Sequence, residues 1–229
     1  MNVTTRNPVV EDVDVAPRAV RIAPPGLDGL LSRPANARGI VLFAHGSGSS
    51  RYSPRNTHVA RALQAAGLTT LLFDLLTEAE AADRARVFDI PLLAERLLLA
   101  TAWIATQSET AALAIGYFGA STGAAAALVA AARSERDIAA VVSRGGRPDL
   151  AAEDLPRVRA PTLLIVGGAD HAVLELNRAA QAQLRCETRL SVVPGATHLF
   201  EEPGALESVI ECACGWFLDH LPAREEGGK

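Results

Sequence analysis

The sequence predicts an α/β fold in which a mainly parallel, doubly wound sheet lies between two layers of helices, as one domain spanning residues 1–229. Short apolar runs alternate along the chain with longer stretches of helical spacing. Strand–helix–strand repetition of this kind produces a parallel sheet covered on both faces. The length of 229 residues also fits one domain, because α/β folds of up to about 250 residues are often undivided.

Six apolar runs have the length and composition of buried strands. They are residues 39–45, 69–76, 113–120, 138–143, 162–166 and 188–193. Two further segments, residues 19–23 and 27–32, flank Pro24-Pro25-Gly26 and predict an antiparallel hairpin at the edge of the sheet.

Five stretches between or after these strands have helical spacing. They are residues 56–66, 91–106, 122–133, 173–184 and 206–221. Gly67 is a good C-terminal cap for the first helix, and Pro91 suits the first turn of the second. We expect residues 1–18 to be an N-terminal extension and residues 222–229 to be a frayed tail.

Composition and charge exclude several classes of partner. The formal net charge is −4, the arginines are scattered and Lys229 is the only lysine, whereas nucleic-acid binding needs a clustered basic face. No apolar run reaches the ~20 residues of a membrane-spanning helix, and the first residues lack the pattern of a signal peptide. We therefore expect a soluble, cytoplasmic protein that binds neither nucleic acid nor membrane.

The three cysteines, Cys186, Cys212 and Cys214, form neither a disulfide framework nor a zinc-binding pattern. We expect free thiols in a reducing compartment, with no metal and no cofactor. The sequence leaves the oligomeric state open, with a homodimer as one option.

A candidate nucleophile lies between strand 113–120 and the alanine-rich helix 122–133. Residues 119–123 read Gly-Ala-Ser-Thr-Gly and fit the G-x-S-x-G turn, which raises a serine above the sheet between a strand and a helix. Side chains at the two glycine positions would collide with the neighbouring strand and helix. Ser121 is therefore the predicted nucleophile, and the alternative is a turn of small residues made only for close packing.

A serine hydroxyl needs a base within hydrogen-bond reach, and His198 is the candidate. Where such a turn carries a nucleophile, an acid and then a histidine follow it along the chain, which leaves His171, His198 and His220. His198 ends the loop Pro-Gly-Ala-Thr-His after strand 188–193, at the correct edge of the sheet. We interpret His171 as loop structure and His220 as a solvated or capping residue.

Asp170 is the candidate acid that orients the histidine. It ends the segment Gly-Gly-Ala-Asp after strand 162–166, where its carboxylate can accept from the imidazole and stabilise the imidazolium. The alternative is an N-terminal cap for the next helix. Asp74, Asp149 and Glu175 are the fallback acids.

Residues 45–48, His-Gly-Ser-Gly, are the candidate oxyanion loop. A backbone N–H after this strand can donate to a developing oxyanion, and glycine permits the close approach. We predict Ser47 as one donor, with Gly46 as the alternative, and the backbone N–H of Thr122 as the other. Such donors contribute about 3–4 kcal/mol each to the transition state. His45 is expected to brace the loop.

Three arginines, Arg51, Arg55 and Arg144, also follow strand ends. A guanidinium pairs bidentately with a carboxylate, so one of them is a candidate for binding a carboxylate of the substrate. The alternative is that they hold loops through carboxylates or carbonyls of the protein.

With these four motifs in order on alternating strands, the chain resembles the α/β-hydrolase fold over nearly its whole length. More narrowly, the stretches HGSGSSRYSPRN, FDIPLLAERL and SRGGRPDLA resemble the dienelactone-hydrolase-like group of small bacterial hydrolases, some of which are fused to, or encoded beside, a phosphoribosyltransferase. The resemblance implies carboxylic-ester hydrolysis with Ser121, Asp170 and His198 as the triad. Dienelactone hydrolases use a cysteine nucleophile, so Ser121 favours an ordinary esterase. Residues 77–89 are too short for a large lid, which favours short acyl chains.

We therefore expect a serine hydrolase that cleaves a small-molecule carboxylic ester through an acyl-enzyme. A thioesterase, an amidase, a peptidase or a dienelactone-type lactone hydrolase would use the same residues. A different class also stays open, a non-catalytic α/β-hydrolase-fold protein that binds a small molecule or another protein, because a fold does not fix a function.

Overall fold

The computed structural model describes residues 16–221, which contain one eight-stranded sheet. The strands are β1 (Arg18–Ile22), β2 (Leu27–Ser32), β3 (Gly39–Ala44), β4 (Thr69–Phe73), β5 (Ala114–Ala120), β6 (Ile138–Arg144), β7 (Thr162–Gly167) and β8 (Thr188–Val193). Their order in the sheet is β1-β2-β4-β3-β5-β6-β7-β8. β2 pairs antiparallel with β1 and β4, and all the other neighbours pair in parallel. The predicted fold class, including the antiparallel edge hairpin, is confirmed.

Seven α-helices and two short 3-10 helices accompany the sheet within residues 16–221, and the α-helices position the site. They are α1 (Pro54–Ala65), α2 (Glu78–Ala81), α3 (Arg84–Val87), α4 (Ile90–Thr106), α5 (Thr122–Arg133), α6 (His171–Gln181) and α7 (Ala205–His220). Polar side chains begin two of the long ones, since Ser53 caps α1 and Asp89 accepts a hydrogen bond from the Leu92 N–H at 3.0 Å. The five predicted helices are present with ends shifted by up to three residues.

The core consists of two layers of apolar side chains, one on each face of the sheet. All six residues of β3 are buried, and its successive side chains point to opposite faces, as strand geometry requires. Ile40 and Leu42 pack with α4 and α5, whereas Val41 and Phe43 pack with α1 and α7. The fully buried alanines at the start of α5 let this helix lie close to the strands, and this closeness positions the residues before it.

One predicted strand extends three residues beyond the observed one. The apolar run 69–76 predicted a strand through residue 76, but β4 ends at Phe73. Leu75 and Leu76 are buried, yet they leave the sheet and line a cavity. An apolar run reports burial, and it does not distinguish burial in a sheet from burial in a loop.

The ends of the chain lie mostly outside the described residues. This applies to the expected tail, 222–229, and to most of the expected extension, 1–18, although Arg18 already belongs to β1. Between residues 16 and 221, no helix combines the length and apolar character needed to cross a bilayer. The three cysteines are free thiols. No cluster of three potential metal ligands occurs in this part of the chain.

Candidate active site

Ser121 lies on a sharp turn between β5 and α5, with φ 51° and ψ −120°. A residue with a side chain rarely adopts this left-handed conformation, and such strain persists only where the surroundings impose it. Here the Ser121 N–H donates to the Arg144 carbonyl at 3.2 Å, and the Ser121 carbonyl accepts from the Ala124 N–H at 3.1 Å. The serine is thus held above the carboxyl edge of the sheet by its backbone.

The glycines on either side of Ser121 are required by packing. A Cβ on Gly119 would overlap Ala124 Cα, and a Cβ on Gly123 would overlap the Ala44 carbonyl oxygen. The turn therefore presses the start of α5 against β5 and β3 at once. Only glycine fits both positions without moving the backbone.

His198 connects Ser121 to Asp170 through two hydrogen bonds. Its Nδ1–H donates to Asp170 Oδ2 at 2.7 Å, and this tautomer leaves Nε2 to accept from the Ser121 hydroxyl, with Oγ 3.4 Å away. The imidazole is 38% exposed, whereas the carboxylate is 15% exposed. A base within reach of the serine and an acid that fixes the base are the arrangement that activates a hydroxyl nucleophile.

The loop that carries His198 is joined to the loop that carries Asp170 by backbone contacts. The Ala169 N–H donates to the Ala196 carbonyl at 2.9 Å. A Cβ on Gly167 would overlap that same carbonyl, so this glycine permits the close approach. Phe200 has φ 54° and is buried. Sequence reasoning missed Phe200, because phenylalanine gives no local signal for a left-handed backbone.

The structure separates Asp170 from the other acids considered. Asp170 occupies the N-cap position of α6, but its carboxylate makes no capping hydrogen bond and bonds His198 instead. Each of the three fallback acids has an arginine partner of its own. These pairs are Asp74 with Arg51, Asp149 with Arg147 and Glu175 with Arg178.

The candidate oxyanion loop, residues 45–48, lies against Ser121, the candidate nucleophile. A Cβ on Gly46 would be 3.1 Å from Ser121 Cβ. The Ser47 N–H donates to Thr122 Oγ1 at 2.9 Å, a contact that sequence reasoning missed because it joins residues 75 positions apart. Thr122 is the first residue of α5, so its own N–H has no acceptor within the helix. Both predicted donors are therefore next to Ser121, and the Ser47 N–H is engaged by the threonine hydroxyl.

His45 braces this loop, as expected. Its Nδ1–H donates to the Gly46 carbonyl at 3.0 Å, and its Nε2 accepts from the Leu75 N–H at 3.2 Å. The ring is neutral in this arrangement, and burial, the largest influence on the ring, lowers the pKa of His45. The histidine ties the oxyanion loop to the chain that follows β4.

Comparison with known proteins identifies the family. Residues 37–211 match the family model described as an alpha/beta hydrolase domain. The chain belongs to the α/β-hydrolase family. Its sequence is 55% identical to that of dienelactone hydrolase from Anabaena variabilis. The crystal structure of that protein superimposes with a TM-score of 0.85 over 89% of this chain and 98% of that one. The predicted resemblance to the dienelactone-hydrolase-like group is thereby confirmed.

Two other similarities extend this picture. The chain is 61% identical over 211 residues to Mycobacterium tuberculosis proteins named "Putative phosphoribosyl transferase", covering 92% of this chain but only 46% of theirs. It thus spans about half the length of these relatives. Est1E from Butyrivibrio proteoclasticus superimposes with a TM-score of 0.76 over 89% of this chain and 98% of that one. At 17% identity, that likeness shows the fold alone.

The three arginines of this α/β-hydrolase differ in their partners. Arg51 forms an ion pair with Asp74, and its backbone N–H also donates to Asp74 Oδ1 at 2.7 Å. Arg55 Nη1 lies 3.2 Å from Glu201 Oε1. Arg144 is 9% exposed, and its guanidinium contacts no carboxylate within residues 16–221. The structure therefore does not bring the three together as one site.

A cavity of about 700 Å³ opens beside the oxyanion loop of this α/β-hydrolase. Its apolar lining includes Leu75, Leu76, Val87 and Leu93. The segment 77–89, which contains α2 and α3, contributes Ala79 and further residues and forms a roof. The cavity is continuous with Gly46 and Ser47, so a ligand there would reach the loop that faces Ser121.

Glu80 anchors this roof, residues 77–89. It forms a capping box with Thr77, and its Oε1 accepts from Arg96 at 2.6 Å and from Arg86 at 3.3 Å. These hydrogen bonds, foremost that from the Thr77 N–H, lower the pKa of Glu80. One ionised carboxylate thus joins the roof to α4.

Proposed function

We propose that this α/β-hydrolase cleaves small carboxylic esters through a covalent acyl-enzyme on Ser121. The observation that carries the proposal is the hydrogen-bonded series from Ser121 through His198 to Asp170, with the serine on a strained turn. Backbone strain of this kind clusters at functional sites, which supports a reactive role for the serine.

In the first step, Ser121 Oγ attacks the carbonyl carbon of the ester while His198 Nε2 takes the hydroxyl proton. Asp170 stabilises the imidazolium through Nδ1–H. The developing oxyanion accepts from the Thr122 N–H and from the Ser47 N–H, which exchanges the Thr122 hydroxyl for the stronger, charged acceptor.

In the second step, the tetrahedral intermediate collapses and the bond to the alcohol breaks. The imidazolium gives its proton to the leaving oxygen, so an alcohol departs and the acyl group stays on Ser121 Oγ. Water then attacks the acyl-enzyme, with His198 as base, and releases the acid and the free serine.

Labelling by a fluorophosphonate tests this proposal directly. The native protein should bind the probe covalently at Ser121 and hydrolyse 4-nitrophenyl butyrate, and Ser121→Ala should lose both properties. Ser208→Ala is the matched control, because Ser208 lies half-buried on α7, where its hydroxyl donates to the Gly204 carbonyl, and it should keep both. A native protein that takes no label would instead favour a non-catalytic binding protein.

A second candidate is lactone hydrolysis, favoured by the 55% identity to the Anabaena protein named dienelactone hydrolase. The same three residues would open the ring, and the alcohol would remain attached to the acid. A panel of esters, lactones, thioesters and amides, compared by kcat/KM, separates these substrates. The mycobacterial proteins named putative phosphoribosyl transferase are matched by this chain over about half of their length. We propose that the matched half carries out ester chemistry and that the transferase name refers to the other half.

A further inference from the structure

Phe200 has a strained backbone and a buried ring. Its φ of 54° lies in the left-handed region, which glycine adopts freely and residues with a Cβ adopt rarely. The side chain is 2% exposed and belongs to the apolar layer between the sheet and the helices α1 and α7. Strain of this kind persists only where the surroundings impose it. In Phe200 the constraint is the burial of the ring in this layer.

This strained residue closes the turn that carries His198. The Phe200 N–H donates to the Thr197 carbonyl at 3.3 Å, so His198 is the first of the two central residues of a four-residue turn. Before the turn, the chain is held by the Ala169 N–H, which donates to the Ala196 carbonyl at 2.9 Å. After the turn, it is held by the buried ring. The imidazole therefore projects from a turn that is fixed at both ends.

The Phe200 ring packs on the same glycine as the His198 imidazole. A Cβ on Gly145 would be 3.3 Å from Phe200 Cε2, 3.2 Å from the His198 carbonyl oxygen and 3.5 Å from His198 Cε1. Gly145 is itself attached to β7, because its N–H donates to the Ile165 carbonyl at 2.8 Å. One glycine, held by the sheet, thus supports both the ring and the imidazole.

The contact between His198 and Ser121 has little margin. Ser121 Oγ lies 3.4 Å from His198 Nε2, near the limit of a hydrogen bond, whereas Asp170 Oδ2 lies 2.7 Å from Nδ1. A turn that relaxes by a fraction of an ångström would therefore lose the contact to the serine first. The imidazole would stay bonded to Asp170 but would no longer take the serine proton.

We propose that Phe200 is a positioning residue for the reaction at Ser121, because its buried ring holds the strained turn where the His198 imidazole reaches the serine hydroxyl. This inference rests on the proposed ester hydrolysis. The ring is buried, so it acts through His198 and not on the substrate. Formation and hydrolysis of the acyl-enzyme both use the imidazole. The contribution of Phe200 therefore belongs to both chemical steps and not to substrate binding.

Two leucine substitutions in one apolar layer test the inference. Phe200→Leu removes the part of the ring that packs on Gly145. Phe217→Leu is the matched control, because Phe217 is buried in the same layer but its ring packs against Gly116, near the start of β5 and away from the carboxyl edge. Urea unfolding should show a loss of stability in both variants. Kinetics are then measured in buffer without urea, where circular dichroism shows both variants to be folded.

For Phe200→Leu we expect kcat on 4-nitrophenyl butyrate to fall by about ten- to a hundredfold, since a small misplacement of a catalytic group costs up to about a hundredfold. KM should stay within about threefold, because binding is not affected. The rate of fluorophosphonate labelling at Ser121 should fall by the same factor as kcat, since labelling needs the same base. Phe217→Leu should keep kcat and the labelling rate within about threefold of the native values.

Three results overturn the inference. They are an unchanged kcat in Phe200→Leu, an equal loss of kcat in Phe200→Leu and Phe217→Leu, and a loss that lies in KM alone. If either leucine variant does not fold, Phe200→Met and Phe217→Met, which preserve more of the side-chain volume, are compared in the same way. Labelling and ester hydrolysis by the native protein decide the proposed function separately. They show that it stands even where the two variants behave alike.

Discussion

The two sides of Ser121 are built in different ways. On one side are the turns that carry Ser121, Asp170 and His198 after β5, β7 and β8. These turns approach the backbone of neighbouring segments so closely that only glycine fits at Gly119, Gly123 and Gly167. On the other side, the segments after β3 and β4 enclose a cavity of about 700 Å³. We call these the fixed half and the open half.

This difference indicates how the molecule divides its tasks. Reacting groups in the fixed half are positioned by main-chain atoms, so changes there should alter every reaction by the same factor. The open half is lined by side chains under a roof held by Glu80, so changes there should discriminate between substrates.

The largest expected effect is that of Asp170→Asn in the fixed half. The variant keeps the shape of the side chain but loses the charge that holds and stabilises His198, and we expect kcat to fall by about 10⁴-fold. The factor should be the same for 4-nitrophenyl acetate and 4-nitrophenyl octanoate. A loss that depends strongly on acyl length would contradict the division.

Gly123→Ala should destabilise the fixed half. The new Cβ would overlap the Ala44 carbonyl oxygen, and we expect the free energy of unfolding to fall by about 1–3 kcal/mol, the usual cost of overpacking. Urea unfolding followed by circular dichroism measures it. Gly215→Ala is the control, because that Cβ would lie in open space on α7. The control should raise stability by about 0.5–1 kcal/mol.

Ala79→Trp should affect the open half alone. Ala79 lies in the roof and lines the cavity, so a large ring there would fill space that a long acyl chain needs. Burying about four methylene groups of the octanoyl chain contributes about 3 kcal/mol. Because the ring would prevent that burial, kcat/KM for the octanoate ester should fall at least about tenfold relative to kcat/KM for the acetate ester. Equal loss on both esters would mean that the cavity does not hold the acyl chain.

Thr122 links the two halves, because its hydroxyl accepts from the Ser47 N–H of the oxyanion loop. Thr122→Val keeps the shape of the side chain and removes the hydrogen-bond acceptor. Because the Ser47 N–H gives up this hydrogen bond to reach the oxyanion, we expect the rate to rise by about 2–10-fold on all esters, the value of one neutral hydrogen bond. A slower variant would show instead that the hydroxyl is needed to hold the oxyanion loop in place.

The smallest expected effect is on stability in mild acid, through His45. Its pKa is lowered in the folded protein, so below about pH 6.5, the ordinary histidine value, the unfolded chain binds more protons than the folded one. The His45 contribution to stability is therefore present above that pH and is lost as the pH falls through the lowered pKa. His45→Asn should flatten the pH dependence of urea unfolding between pH 7 and pH 5.5, and His58→Asn, exposed on α1, should not.

The sequence predicted what is encoded locally. Gly119 and Gly123 identify the turn at Ser121, and the order of motifs along parallel strands selects Asp170 and His198 from five histidines and many acids. In each case a short pattern and its place after a strand carry the information. In the structure these three side chains lie within hydrogen-bond distance of one another in series, and their catalytic roles stay a prediction.

Contacts between distant segments could not be predicted in this way. Arg51 and Arg144 both follow strands predicted from the sequence, yet Asp74 pairs with Arg51 and no carboxylate within residues 16–221 pairs with Arg144. The residues next to each arginine in the sequence do not distinguish the two, because the partner of each arginine depends on the position of a loop or helix tens of residues away. The cavity was missed for the same reason, since Leu75 and Leu76 read as a strand.

The roof has a consequence for how this chain can diverge. Its anchoring contacts, from Glu80 to Thr77, Arg86 and Arg96, are all made within the stretch between β4 and the first turns of α4. Insertions or substitutions in residues 77–89 can therefore change the shape of the cavity while the arrangement of Ser121, His198 and Asp170 stays the same. A change of substrate range would then need changes in this one short surface segment only.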